Sequence, residues 1–164
     1  MTPVNNVTRL LDSRNIPYRI YELPAEKLGA LETARLLDVD PAIVFKTIVA
    51  TRKNPKSKPV LAIIPGNTQL DLKALARALG EKKMSLPTER EAENLTGLQA
   101  GGISPLALIN KGFQVVLDQA AMEGNEIHVS GGQRGLNISL PVSALIELTK
   151  ARIAKISLLL RGIE

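Results

Sequence analysis

Val4, Val7, Leu10 and Leu11 recur at helical spacing after Pro3, a residue tolerated in a first turn, and Asn15, Ile16 and Pro17 break the pattern. Residues 18–23 (YRIYEL) alternate like a strand. Leu31, Ala34, Leu36 and Leu37 then mark a short amphipathic helix in LETARLLDV. Asp40 before Pro41 starts a helix or a turn. Residues 44–51 (VFKTIVAT) form a β-branched run, and a polar turn separates them from VLAIIP at residues 60–65. Two such runs across a short loop predict an antiparallel hairpin.

Asp71 as N-cap and Gly80 as stop bound the helix LKALARALG. Thr88 and Glu91 make a capping box for a helix running to Leu95, which Gly97 ends. Residues 113–118 (FQVVLD), 126–130 (EIHVS) and 136–140 (LNISL) read as strands. Pro141 opens a last helix, VSALIELTK, and the tail to Glu164 is amphipathic. Strands outnumber crossovers and two hairpins are expected. The fold class is therefore mixed α/β of the α+β kind, with a mainly antiparallel sheet and helices around it.

Composition narrows the chemistry. The 164 residues are the usual size of one domain, 1–164, and 45% are hydrophobic, enough for one core. Without cysteine, disulfides, thiolate nucleophiles and Cys-based metal sites are all excluded. His128 is the sole histidine, so a zinc centre of His or Cys ligands is excluded; no metal and no cofactor are expected. The start lacks the basic and apolar regions of a signal peptide, and no apolar run is long enough to span a bilayer. These features predict a cytoplasmic protein with no membrane partner.

The net charge of +5 and pI of 9.6 are mildly basic, with Arg52, Lys53, Lys56 and Lys58 the densest cluster. A solvated hairpin tip is the plain reading of that cluster, because no aromatic residues stand among the lysines to stack bases. Phosphate contact is the alternative.

Several motifs fail. No P-loop is present, SGGQRG lacks the dinucleotide-binding spacing and precedes a strand, and Ser104 is not in a nucleophile elbow. His128 shares a strand face with Glu126 and Ser130 and reads as structural or exposed rather than catalytic. Two features remain. Lys46 lies in an otherwise apolar strand. Its ammonium must snorkel to water, pair with a carboxylate, or face a cleft where it can hold a phosphate or an oxyanion. In residues 98–107 (LQAGGISPLA), the glycines and proline can form a plain connecting turn. They can equally aim successive N–H groups at an anion without any catalytic side chain.

FKT at residues 45–47, GGISPL at 101–106 and SGGQRGL at 130–136 occur in an order and at a spacing similar to the YbaK/EbsC family. The TPV start and the LDLKALARALG helix add to the likeness. That family resembles free-standing copies of the bacterial prolyl-tRNA synthetase editing domain, and its members remove wrongly attached amino acids from tRNA. The resemblance implies a barrel-like, largely antiparallel sheet flanked by helices. It also implies aminoacyl-tRNA, through its acceptor end, as substrate, Cys-tRNA(Pro) as the favoured one, and a prolyl-tRNA synthetase as a partner.

By the same likeness Gly101 and Pro105 belong to a loop whose amides hold the ester carbonyl, with Gly102, Ile103 and Ser104 between them. Lys46 sits near the terminal adenosine. Ser130, Gly131, Gly132, Arg134 and Gly135 line the opposite wall, followed by Asn137 where a number of relatives carry aspartate. No protein nucleophile is implied: the sulfur of a cysteinyl substrate, a ribose hydroxyl or water attacks the ester. Alternatives left open are another mischarged substrate such as Ala-tRNA(Pro), a non-catalytic tRNA- or synthetase-binding module, and a nucleotide-binding regulatory domain.

Overall fold

Capping chemistry sets the helix ends. In the computed structural model, which describes residues 4–160, α1 (Asn6–Ser13) begins at Asn5. The Asn5 side chain accepts from the Thr8 N–H, and Thr8 Oγ1 accepts from the Asn5 N–H. Val4 therefore stands before the helix and is exposed, and Pro3 lies outside the described residues. α2 (Ala30–Leu37) ends on a left-handed Asp38. Asp40 caps a 3₁₀ turn at Pro41–Ile43. The expected caps close α3 (Leu72–Leu79), through Asp71 and Gly80, and α4 (Glu89–Thr96), through the Thr88–Glu91 box and Gly97. α5 (Val142–Thr149) follows Pro141.

The strands are β1 (Arg19–Glu22), β2 (Phe45–Arg52), β3 (Val60–Pro65), β4 (Thr68–Leu70), β5 (Met84–Ser85), β6 (Gln114–Asp118), β7 (Glu126–Ser130), β8 (Leu136–Pro141), β9 (Arg152–Ala154) and β10 (Ser157–Leu159). They form sheets ordered β5-β2-β3-β6-β9, β1-β8-β7 and β10-β4. The β2–β3 and β7–β8 pairs are antiparallel hairpins, and among the described strand-to-strand ladders β3–β6 and β6–β9 are the parallel ones. The mixed, mainly antiparallel α/β expectation holds. The barrel-like form is not confirmed, because no sheet closes on itself among the described residues: the two larger sheets are hydrogen-bonded through one parallel bridge, Val44 to His128, and the short outer strands β1 and β9 do not pair with each other. The tail is also more ordered than its amphipathic pattern indicates, since it supplies β9 and β10.

β3 is buried along its whole length, as a central strand covered on both faces must be. Its residues alternate between two cores, with Leu61 and Ile63 in one and Val60, Ala62 and Ile64 in the other. The first core also takes Ile127, Val129, Ile138 and Leu140 from β7 and β8. The opposite face of that hairpin carries His128, Ser130, Asn137 and Ser139, and it turns toward the cleft described next.

Candidate active site

A cleft of about 280 Å³ opens where the start of β2, the 98–107 loop and the β7–β8 turn converge under residues 23–30. Lys46, Gly101, Ile103, Ser130, Gly135 and Asn137 line it, as do Thr47 and Glu26. Lys46 comes from β2 beyond the reach of β5, which pairs only with Thr51 and Arg52. It is half-buried, and its Nζ lies 3.5 Å from the Gly66 carbonyl, the limit of hydrogen-bonding distance. No described carboxylate pairs with it. Desolvation holds its pKa below the ordinary lysine value of 10.5. The cation thus borders the cleft with no carboxylate partner among the described residues.

The 98–107 loop is held from two sides. Glu93 Oε2, on α4, accepts from the Ala100 N–H at 2.8 Å, and Arg134 Nε donates to the Ala100 carbonyl at 2.7 Å. Gly102 donates to Gln99 O at 2.8 Å. The Gly101 and Ile103 N–H groups meet no acceptor among the described residues, and both residues border the cleft. Gly101 has φ +91°, and a Cβ there would stand 3.0 Å from Lys27 Cα. A left-handed backbone and a close crossing both require glycine at this point.

Gly102, Ser104, Pro105, Gly131, Gly132 and Arg134 do not line the cleft. A Cβ on Gly102 would come within 2.9 Å of the Gln133 backbone. Ser104 is fully buried, and its Oγ accepts from the Leu106 N–H at 3.1 Å. Pro105 borders a separate hollow of about 590 Å³ beside α5. Gly131 donates to Leu136 O at 2.8 Å, Gly132 donates to Ser130 Oγ at 3.2 Å, and Asn5 Nδ2 reaches Gly131 O at 3.0 Å. The turn is thereby anchored to the start of α1. Asn137 Oδ1 lies 2.9 Å from Nδ1 of His128, a residue that is buried rather than exposed.

Sequence reasoning passed over three contributors. The Thr47 hydroxyl is buried with no hydrogen-bond partner among the described residues, although Thr47 lines the cleft beside Lys46. Its place in FKT was the available signal. Glu93 had none, because its role depends on how α4 ends against the loop. Residues 23–30 form the roof, joined to the β7–β8 turn by the Leu23 N–H bond to Gly135 O at 2.7 Å. Lys27 pairs there with Glu89 of α4.

The profile of the family described as the aminoacyl-tRNA editing domain matches residues 26–148, which include the whole cleft except Leu23. The chain belongs to that family. Aminoacyl-tRNA is the substrate class of such an editing domain, and deacylation is its reaction. EbsC of Enterococcus faecalis, which its name proposes as a Cys-tRNA(Pro)/Cys-tRNA(Cys) deacylase, is 36% identical over 154 residues, covering 93% of this chain and 92% of its own. This places the editing domain in the YbaK/EbsC group. A proline–tRNA ligase of Thermodesulfovibrio yellowstonii is 30% identical over 58% of this chain, a segment amounting to 16% of the ligase. The crystal structure of a proposed trans-editing enzyme for prolyl tRNA synthetase superposes with a TM-score of 0.79 at 23% identity, covering 95% of this chain and 99% of the other. It shares the fold. No helix among the described residues is long and apolar enough to cross a membrane.

Proposed function

We propose that this editing domain is a deacylase of Cys-tRNA(Pro), working without a protein nucleophile. The observation that carries this reading is the pairing of a cleft-facing Lys46 with the unclaimed N–H groups of Gly101 and Ile103, in a space sized for a small aminoacyl group. The buried Ser104, bound to the Leu106 N–H, supports a mechanism in which Ser104 does not attack. Likeness to EbsC over nearly the full length of both chains favours the cysteinyl substrate.

In this mechanism the substrate's terminal adenosine lies near Lys46 and its ester carbonyl points at the loop amides. As the cysteinyl sulfur attacks the carbonyl carbon, negative charge builds on the carbonyl oxygen, where the Gly101 and Ile103 N–H groups stabilise it. The carbon–oxygen bond to the ribose then breaks. The thiol proton ends on the ribose oxygen, and the cysteine leaves as a thiolactone that water opens. Prolyl-tRNA synthetase fits as the partner that supplies the mischarged tRNA.

Incubating the purified protein with tRNA(Pro) carrying cysteine, serine, alanine or proline tests the proposal. Cysteine should be lost at least a hundredfold faster than serine, its oxygen counterpart, and proline should be spared. Equal rates for cysteine and serine would show that sulfur is not the nucleophile. Preferred loss of alanine would reassign the substrate to Ala-tRNA(Pro).

A further inference from the structure

We infer that His128, outside the cleft, is a positioning residue that sets which end of the Asn137 carboxamide faces the substrate. The inference rests on the deacylase reading of the cleft. In the β7–β8 register Ser130 pairs with Asn137 and His128 with Ser139, so His128 lies diagonal to Asn137 on the same face. A diagonal of this kind is within reach of an imidazole. His128 is buried and Asn137 borders the cleft, while Nδ1 and Oδ1 stand 2.9 Å apart.

A carboxamide oxygen carries no proton. The contact therefore requires Nδ1–H to donate to Asn137 Oδ1. The Asn137 NH₂, at the other end of the same planar group, is then turned away from His128, and no acceptor meets it among the described residues. In the opposite rotamer an oxygen would face the cleft and the polarity of that wall would reverse. Tyr21, paired with Asn137 across β1 and β8, packs its ring 5.4 Å from the imidazole at a 39° tilt and restricts its rotation. The backbone of His128 also forms the bridge to Val44, two residues before Lys46. One buried histidine thus ties the orientation of the Asn137 donor to the strand that carries the cation. The donor suits an oxygen lone pair on the aminoacylated ribose, in the ester or the neighbouring hydroxyl.

Two measurements on the intact protein test this. Because the chain contains one histidine, ¹⁵N spectra of the neutral ring report its tautomer without ambiguity. The Nδ1–H form is expected, and the Nε2–H form would overturn the inference. In deacylation of Cys-tRNA(Pro), His128→Phe keeps an aromatic ring against Tyr21 but has no donor. Its kcat should fall about tenfold with KM for tRNA little changed, the pattern of a contact made at the reacting end. His128→Asn, whose Nδ2 occupies nearly the place of Nδ1, should recover to within about threefold of wild type. A folded His128→Phe protein with wild-type kcat, or one that His128→Asn fails to improve on, would reject the positioning role.

On tRNA ending in 2′-deoxyadenosine, a remaining tenfold difference between wild type and His128→Phe assigns the contact to the ester, and its disappearance assigns it to the hydroxyl. If wild type deacylates no mischarged tRNA, the functional reading fails, while the tautomer still decides the orientation of Asn137.

Discussion

At the scale of single residues, the cleft sets Lys46, which no described carboxylate meets, beside donors that belong to the backbone. Lys46→Ala should lower deacylation on the order of a hundredfold in a folded protein, the cost of one lost transition-state contact. Its titration supplies a second test. Burial lowers the pKa, so the ammonium loses its proton at a lower pH than an ordinary lysine at 10.5. Rates on the alkaline side, corrected for spontaneous ester hydrolysis, should decline below that value, and Lys46→Arg should shift the decline upward. Stability moves the other way. Between the folded and unfolded pKa values the unfolded chain binds more protons, so this residue's contribution to stability rises with pH.

Gly101 and Ser104 should respond oppositely to alanine. Gly101→Ala places a Cβ at φ +91° and 3.0 Å from Lys27 Cα, so activity should be lost and stability reduced by about 1–2 kcal/mol. Ser104→Ala removes the acceptor of a buried N–H and should cost about 1–3 kcal/mol in denaturant melts. Its rate per folded molecule should remain near wild type. An inactive but folded Ser104→Ala protein would show that the serine takes part.

At the scale of elements, legibility followed length and local chemistry. The caps at Asp71, Thr88 and Gly97 and the long apolar strands carry their signals within a few residues, and all were readable. β4, β5, β9 and β10 have two or three residues each, fewer than alternation needs to register, and their partners are distant in sequence. The tail strands depend on Asp118, a buried carboxylate at the end of β6. It accepts from the Ala120 N–H at 3.1 Å and the Ile156 N–H at 2.8 Å. Asp118→Ala strands both donors and should cost about 3 kcal/mol, with hydrogen exchange fastest in β9 and β10. Uniform loss of protection would instead tie those strands to the global core. The three motifs singled out in the sequence supply walls of the candidate cleft. The division into residues that line the cleft and residues that do not, such as Gly102 and Pro105, was not legible, because it depends on which loop packs against which.

At the scale of the whole molecule, β2 separates two kinds of positive charge. Lys46 stands near one end and the basic turn follows the other, about 20 Å away at the usual rise per residue. Arg52 is engaged there by Glu81 at 3.0 Å and by the Lys58 carbonyl at 3.0 Å, and Lys58 Nζ donates to Lys111 O at 2.7 Å. Only Lys53 and Lys56 of the four remain fully outward, which fits a tip that meets phosphate without specificity. Reversing both to glutamate should raise KM for tRNA, leave kcat unchanged and flatten the salt dependence of binding. An unaltered KM would leave the turn as solvated surface.

The Arg134 grip on Ala100 has an electronic effect as well as a mechanical one. The carbonyl that Arg134 holds belongs to the same amide unit as the Gly101 N–H. A guanidinium on that oxygen draws electron density through the conjugated O–C–N system and leaves the proton at the far end more acidic. Arg134 thus increases the donor strength of a group it never touches, as a substituent tunes an acid through a conjugated frame. The Gly101 amide proton should resonate unusually far downfield and move upfield in Arg134→Met. That variant should lose kcat about tenfold or more while its tRNA affinity changes little. A matching loss of affinity would make Arg134 a direct contact for the nucleic acid instead.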